Sequence, residues 1–196
     1  MATDTIQRSP RQRSDARVPG DINVWVFVLG DMVFFAAYFV VFMVVRHRDG
    51  DLFLQAQRHL SLTAGVINTL LLLASSRFVA LGVAALRSGD HRRAIRRVSY
   101  GAACGVGFLL VKAYEWHHEI SRGFTLPRND FFMFYFMLTG VHLIHVFFGL
   151  GVLGIVGREI RNPKLRRTWV AEAGAIYWHM VDLLWVVIFA LLYVMR

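Results

Sequence analysis

The 196-residue sequence has little of what a water-soluble domain needs on its surface. Only 18% of its residues are charged against 56% hydrophobic, and the polar ones are mostly confined to short connections between long apolar blocks. Elements with one wet and one dry face are missing, which excludes a soluble globular fold. Cysteine is nearly absent: Cys104 stands alone, so neither an intrachain disulfide nor a cysteine metal cluster can form, and the redox compartment stays open. The first 21 residues have no apolar core, which excludes a cleavable signal peptide; rich in Arg, Ser, Gln and Asp, they are expected to form a disordered basic tail. No internal repeat is visible, which argues against a transporter built from duplicated halves. No nucleophile motif or nucleotide-binding loop stands out.

What is present is five apolar stretches, at 22–45, 60–86, 98–116, 131–156 and 173–195. Each is long enough to cross about 30 Å of hydrocarbon at about 1.5 Å per residue. Arg77 interrupts the second, where a helix pair or a re-entrant segment would read much like one span. The net charge of +9 invites a nucleic-acid reading, but the basic residues sit at helix ends, and no nucleic-acid partner is expected.

Their distribution sets the orientation. Arg8, Arg11, Arg13 and Arg17 lie in the tail, Arg87, Arg92, Arg93, Arg96 and Arg97 in the second connection, and Arg158, Arg161, Lys164, Arg166 and Arg167 in the fourth. These fourteen face six on the other side: Arg46, Arg48, Arg58, Arg122, Arg128 and Arg196. The expectation is an all-α polytopic membrane bundle of five transmembrane helices, 22–196, with a cytoplasmic N-terminal tail, 1–21. Short connections make neighbouring helices antiparallel. Gly101 and Gly105 in the third span, and Gly140, Gly149, Gly151 and Gly154 in the fourth, are expected to let backbones approach closely.

Charged groups inside hydrocarbon cost several kcal/mol unless paired or wetted, so each needs a reason. Asp31 and Arg77 both fall in the cytoplasmic half, where pairing would hold both; a proton-conducting role for Asp31 is the alternative. Lys112 and Glu115, three residues apart, share a helix face near the outer interface, which suggests a local ion pair with the lysine snorkelling to water. His142 and His145 in the fourth span, and His179 and Asp182 in the fifth, are also i,i+3 pairs. Imidazoles and a carboxylate directed into a bundle core outline a metal or haem site. A haem would need two histidines facing at one depth, and a di-metal site more carboxylates, so a hydrogen-bond network between the last two helices is the competing reading.

At these motifs the sequence resembles a known family. Thr139-Gly140-Val141-His142-Leu143-Ile144-His145-Val146, with Gly149 following, is similar to the signature of subunit III of the haem-copper oxidases. Tyr177-Trp178-His179 with Val181-Asp182, then Trp185, Phe189 and Tyr193, resembles that family's last helix; Asn68-Thr69, Ser75-Ser76 and Tyr114-Glu115 agree. The resemblance spans residues 22 to 195. Longer family members carry two further N-terminal helices that wall a lipid-filled cleft, and this chain begins at what would be their third. Asp31, in Gly30-Asp31-Met32, stands where oxidase members usually have Glu, closer to a short branch that includes the E protein of nitric oxide reductase operons.

The resemblance implies an accessory subunit without redox centres, in a bacterial plasma membrane, packed against a catalytic subunit I that holds the haem and copper. It would bind phospholipid, stabilise that subunit and support proton uptake in aerobic electron transport. An accessory role with nitric oxide reductase is one alternative, and an autonomous haem or metal protein using His142, His145 and His179 is another. The residues expected to serve a buried polar network, assembly or lipid contact are Asp31, Arg77, Glu115, His142, His145, His179 and Asp182.

Overall fold

A computed structural model describes residues 22–124, 129–162 and 167–195. The tail and Arg128, Lys164, Arg166 and Arg196 lie outside the described residues. The described chain is helical: α1 Ile22–Arg48, α2 Gly50–Gln57, α3 Leu62–Arg87, α4 His91–Ser121, α5 Asp130–Arg161 and α6 Thr168–Phe189, the last running on as a π-helical turn, Ala190–Val194. All but α2 are long and apolar enough to span a membrane. Arg77 does not break the second span, because α3 is one uninterrupted helix.

Local chemistry fixes several ends. The side chains of Ser61, Asp90 and Asn129 accept hydrogen bonds from the backbone N–H groups of Ala64, Arg93 and Phe132, capping α3, α4 and α5. The turn between α3 and α4 is only residues 88–90, shorter than the 87–97 gap between the apolar stretches, because the basic ends are themselves helical. Gly89 reverses the chain there with a φ of 79°, which side chains disfavour, as its N–H reaches the Leu86 carbonyl and the next N–H reaches Ala85.

The turn forces α3 and α4 into an antiparallel pair, and small residues let it close. A Cβ on Gly82 would come within 2.8 Å of Val98, and one on Gly101 within 2.8 Å of Val79. Ser75 spans the contact, donating to the Gly101 carbonyl at 2.7 Å. Gly105 and Gly149 make room for the fully buried Trp178 from two sides. The expectation of close approach thus holds at Gly101, Gly105 and Gly149. It fails at Gly151 and Gly154, where an added Cβ would meet nothing within 4 Å, because that stripe of α5 faces outward; at Gly140 it would reach only Trp116, at 3.4 Å.

α6 is the central helix, packed on α1, α3 and α5. α1 is the peripheral one, burying only Val28, Phe35 and Phe42 of its 27 residues. A run of edge-on rings, Phe42 to Phe53 to Phe131, ties it through α2 to α5. Arg87 of α3 pairs with Glu172 of α6 at 2.9 Å, and Ile95 of α4 lies against Gly157 of α5. These contacts bring Arg87, Arg92, Arg93, Arg96, Arg97, Arg158, Arg161 and Arg167 to one end of the bundle, and among the described residues the other end has Arg46, Arg48, Arg58 and Arg122. The former is called the basic end below.

Candidate functional site

The densest polar site is a knot at the end away from the basic one, built on Lys112 and Glu115. One helical turn of α4 sets the two carboxylate and ammonium groups on a common face. The pair forms, with Lys112 Nζ 3.0 Å from Glu115 Oε2. The snorkelling expectation is corrected, since Lys112 is 0% exposed. What blocks its exit is a lid of aromatic residues from two other helices. Nζ also donates to Tyr193 OH at 2.7 Å and Tyr135 OH at 3.3 Å, and the rings of Tyr135, Trp185 and Tyr193 lie 4.7 to 5.2 Å from it.

All three ammonium donors are therefore used, the condition under which a buried charge is tolerated. Tyr193 closes the ring by donating to Glu115 Oε1. It reaches that position from the π-helical turn, where the Met195 N–H bonds back to the Ala190 carbonyl. Gln57 of α2 donates to the Leu191 and Leu192 carbonyls at 3.2 and 3.3 Å, pinning the short helix over that turn. Glu119, one turn beyond Glu115, is buried, and its Oε2 meets no hydrogen-bond partner among the described residues.

A second polar seam joins α3 to α6. The Ser75 hydroxyl accepts from Trp178 Nε1 at 3.0 Å, Ser76 Oγ lies 2.6 Å from His179 Nδ1, and the Thr69 hydroxyl accepts from Trp185 Nε1 at 3.1 Å. Asp182, on the same face of α6, is 5% exposed; its oxygens form no well-shaped hydrogen bond, and Ser76 is the polar group acting on it.

Asp31 does not pair with Arg77. α1 packs on α5 and α6 while α3 packs on α4 and α6, so the two residues stand on different sides of the bundle, and Arg77 points outward. Asp31 Oδ2 instead lies 3.4 Å from His145 Nε2, with both side chains about one-fifth exposed. His145 Nδ1 donates to the Val141 carbonyl at 2.8 Å, so in the neutral ring Nε2 presents a lone pair to the carboxylate.

The expected network among His142, His145, His179 and Asp182 is also corrected. Three residues along a helix leave about 60° between side chains, enough to aim them at different neighbours. His145 turns to α1 and His179 to α3, while His142 is buried edge-on to Phe108 and tilted on Trp185, with neither ring nitrogen hydrogen-bonded. Among the described residues no three of His, Cys, Asp and Glu converge to hold a metal ion. Sequence reading missed Tyr135, Gln57 and Glu119; an isolated Gln or Glu at a helix end reads as a wetted surface group, and only the covering elements bury it.

Among the described residues, five antiparallel spans locked by hydroxyl-to-indole contacts and a buried ion pair define a multi-pass helical membrane protein. Comparison with known proteins makes this particular. The family model for cytochrome c oxidase subunit III matches residues 18–196, and the chain belongs to that family. It is 31% identical to cytochrome c oxidase subunit 3 of Thermostichus vulcanus over 188 residues, 94% of this chain and 90% of that protein. It is 30% identical to the protein of the same name from Synechocystis over 176 residues, 88% and 74% of the two chains. A cytochrome bo(3) ubiquinol oxidase subunit 3 from Pseudomonas putida is 27% identical over 180 residues, 89% and 84%. The chain is thus related to the subunit III proteins of haem-copper oxidases, and an accessory role in such a complex is consistent with this.

Proposed function

We propose that this chain packs against the haem- and copper-bearing subunit I of a respiratory haem-copper oxidase in a bacterial plasma membrane, N-terminus in the cytoplasm, stabilising that subunit, contacting phospholipid and supporting proton uptake. The observation that carries the reading is the family match along nearly the whole chain. The use of core polar groups supports it: Lys112, Glu115, Ser75, Ser76 and Thr69 join helices to one another, as a scaffold requires. The approach of Asp31 to His145 on a partly exposed face supports a link to proton movement. In this reading haem and copper chemistry belongs to the partner.

The test is purification of the tagged full chain from its native membrane, identification of the large partner, and an optical spectrum of each separated subunit. Recovery with an oxygen-reducing subunit I, haem absorbance confined to that partner, is expected. Recovery with a nitric oxide reductase, or a Soret band in the separated chain, overturns the proposal.

A further inference from the structure

Neighbouring stripes of α3 and α6 form a wall on the outside of the bundle. Ser76 Oγ lies 2.6 Å from His179 Nδ1, which sets this part of α3 level with residue 179 of α6. One residue on, about 100° further around the helix, Arg77 turns away from that contact and is exposed. It stands ten residues before Arg87, whose pairing with Glu172 lies at the basic end, and so about 15 Å along the helix from it. A three-methylene stem cannot carry a guanidinium that far to water. The surroundings on the wall are apolar: Leu70 and Leu73 of α3 are 61% and 50% exposed, and Leu183 of α6 is 50% exposed. Ala80 and Ala84, one and two turns from Arg77 on the same side of α3, are also exposed.

The charge on Arg77 is uncommitted. Of the five charged residues expected within the spans, Lys112 and Glu115 pair at 3.0 Å, Asp31 lies 3.4 Å from His145, and Asp182 is buried beside Ser76. Arg77 faces outward and pairs with no carboxylate among the described residues. An ionised group at span depth is costly to leave against acyl chains, and such groups face other protein or an opposite charge. Lipid phosphates at the surface are out of its reach. A symmetric pair of copies joined through this wall would set Arg77 near its own counterpart, and Glu172 at the wall's end is already held by Arg87. A guanidinium fork matches a carboxylate in two bonds, and the small Ala80 and Ala84 side chains let a second helix approach closely.

We propose that the α3–α6 wall docks a transmembrane helix of another polypeptide, and that an Asp or Glu on that helix forms a forked ion pair with Arg77 while its backbone passes over Ala80 and Ala84. This goes beyond packing on a catalytic subunit by naming the face, the residue and the chemistry of the group it meets.

The full chain is produced in its native membrane with a photo-crosslinking amino acid in place of Leu73 or Leu183, or, as a reference away from the wall, of the exposed Ile144 of α5. Irradiation is expected to join positions 73 and 183, and not 144, to the same polypeptide, through a peptide that holds an Asp or Glu. Arg77→Gln should weaken retention of that polypeptide in detergent about thirtyfold and Arg77→Lys less. Exchanging the charges, Arg77→Glu here with Arg in place of the partner's carboxylate residue, should recover most of the loss. The separated chain carrying Arg77→Leu should melt no lower than wild type, because the charge has no partner within the chain. Adducts with lipid alone or with a second copy of this chain, a joined peptide without a carboxylate, no recovery on charge exchange, or a lowered melting temperature for the separated Arg77→Leu chain would each overturn the proposal. The identity of the joined polypeptide, an oxygen-reducing subunit I or another protein, tests the subunit reading separately.

Discussion

Lys112 and Tyr193 lie 81 residues apart in the chain, yet the ammonium of one is 2.7 Å from the phenol oxygen of the other. With Glu115 they form a closed ring buried inside the bundle. Removing one charge strands the other. Lys112→Met is therefore expected to cost about 3 to 5 kcal/mol, and adding Glu115→Leu to restore part of it. Thermal unfolding of the two variants in one detergent checks this; a double variant no more stable than Lys112→Met would show that the pair is not the cause.

Tyr193 and Tyr135 both reach Lys112, at 2.7 and 3.3 Å, and Tyr193 also donates to Glu115. Tyr193→Phe should cost about 1 to 3 kcal/mol, the usual range for a buried group left without its partner, and Tyr135→Phe less. The reverse order in chemical denaturation would contradict the geometry.

Asp31 should couple to His145 and not to Arg77. In a double-mutant cycle, Asp31→Asn with Arg77→Gln is expected to be additive within about 0.5 kcal/mol, and Asp31→Asn with His145→Gln to deviate from additivity by more. If Asp31 serves proton uptake, Asp31→Asn also slows uptake by the complex while membrane abundance holds.

Trp178 sits between two glycines, and a Cβ on Gly149 would come 2.8 Å from its ring. Gly149→Ala should cost about 1 to 3 kcal/mol by overpacking, whereas Gly151→Ala, facing open space, should be close to neutral. Equal melting temperatures for the two variants would argue against the tight seat.

The sequence by itself determined the number and placement of the spans, because hydropathy and span length are local properties that need no neighbour. It also marked which residues need a partner: Asp31, Lys112, Glu115 and the histidine motifs stand out as polar groups in apolar runs. The tertiary structure alone decided who those partners are. Spacing along one helix placed Glu115 beside Lys112 correctly, since both ride on α4. Whether Lys112 reaches water depended on Tyr135 and Tyr193 from elsewhere in the chain, and whether Asp31 meets Arg77 or His145 depended on which helix α1 packs against. Those choices follow from the rotation of each helix about its axis and from the order of helices around the bundle, which are set by close packing at Gly101, Gly105 and Gly149 and by the side chains that fill those notches.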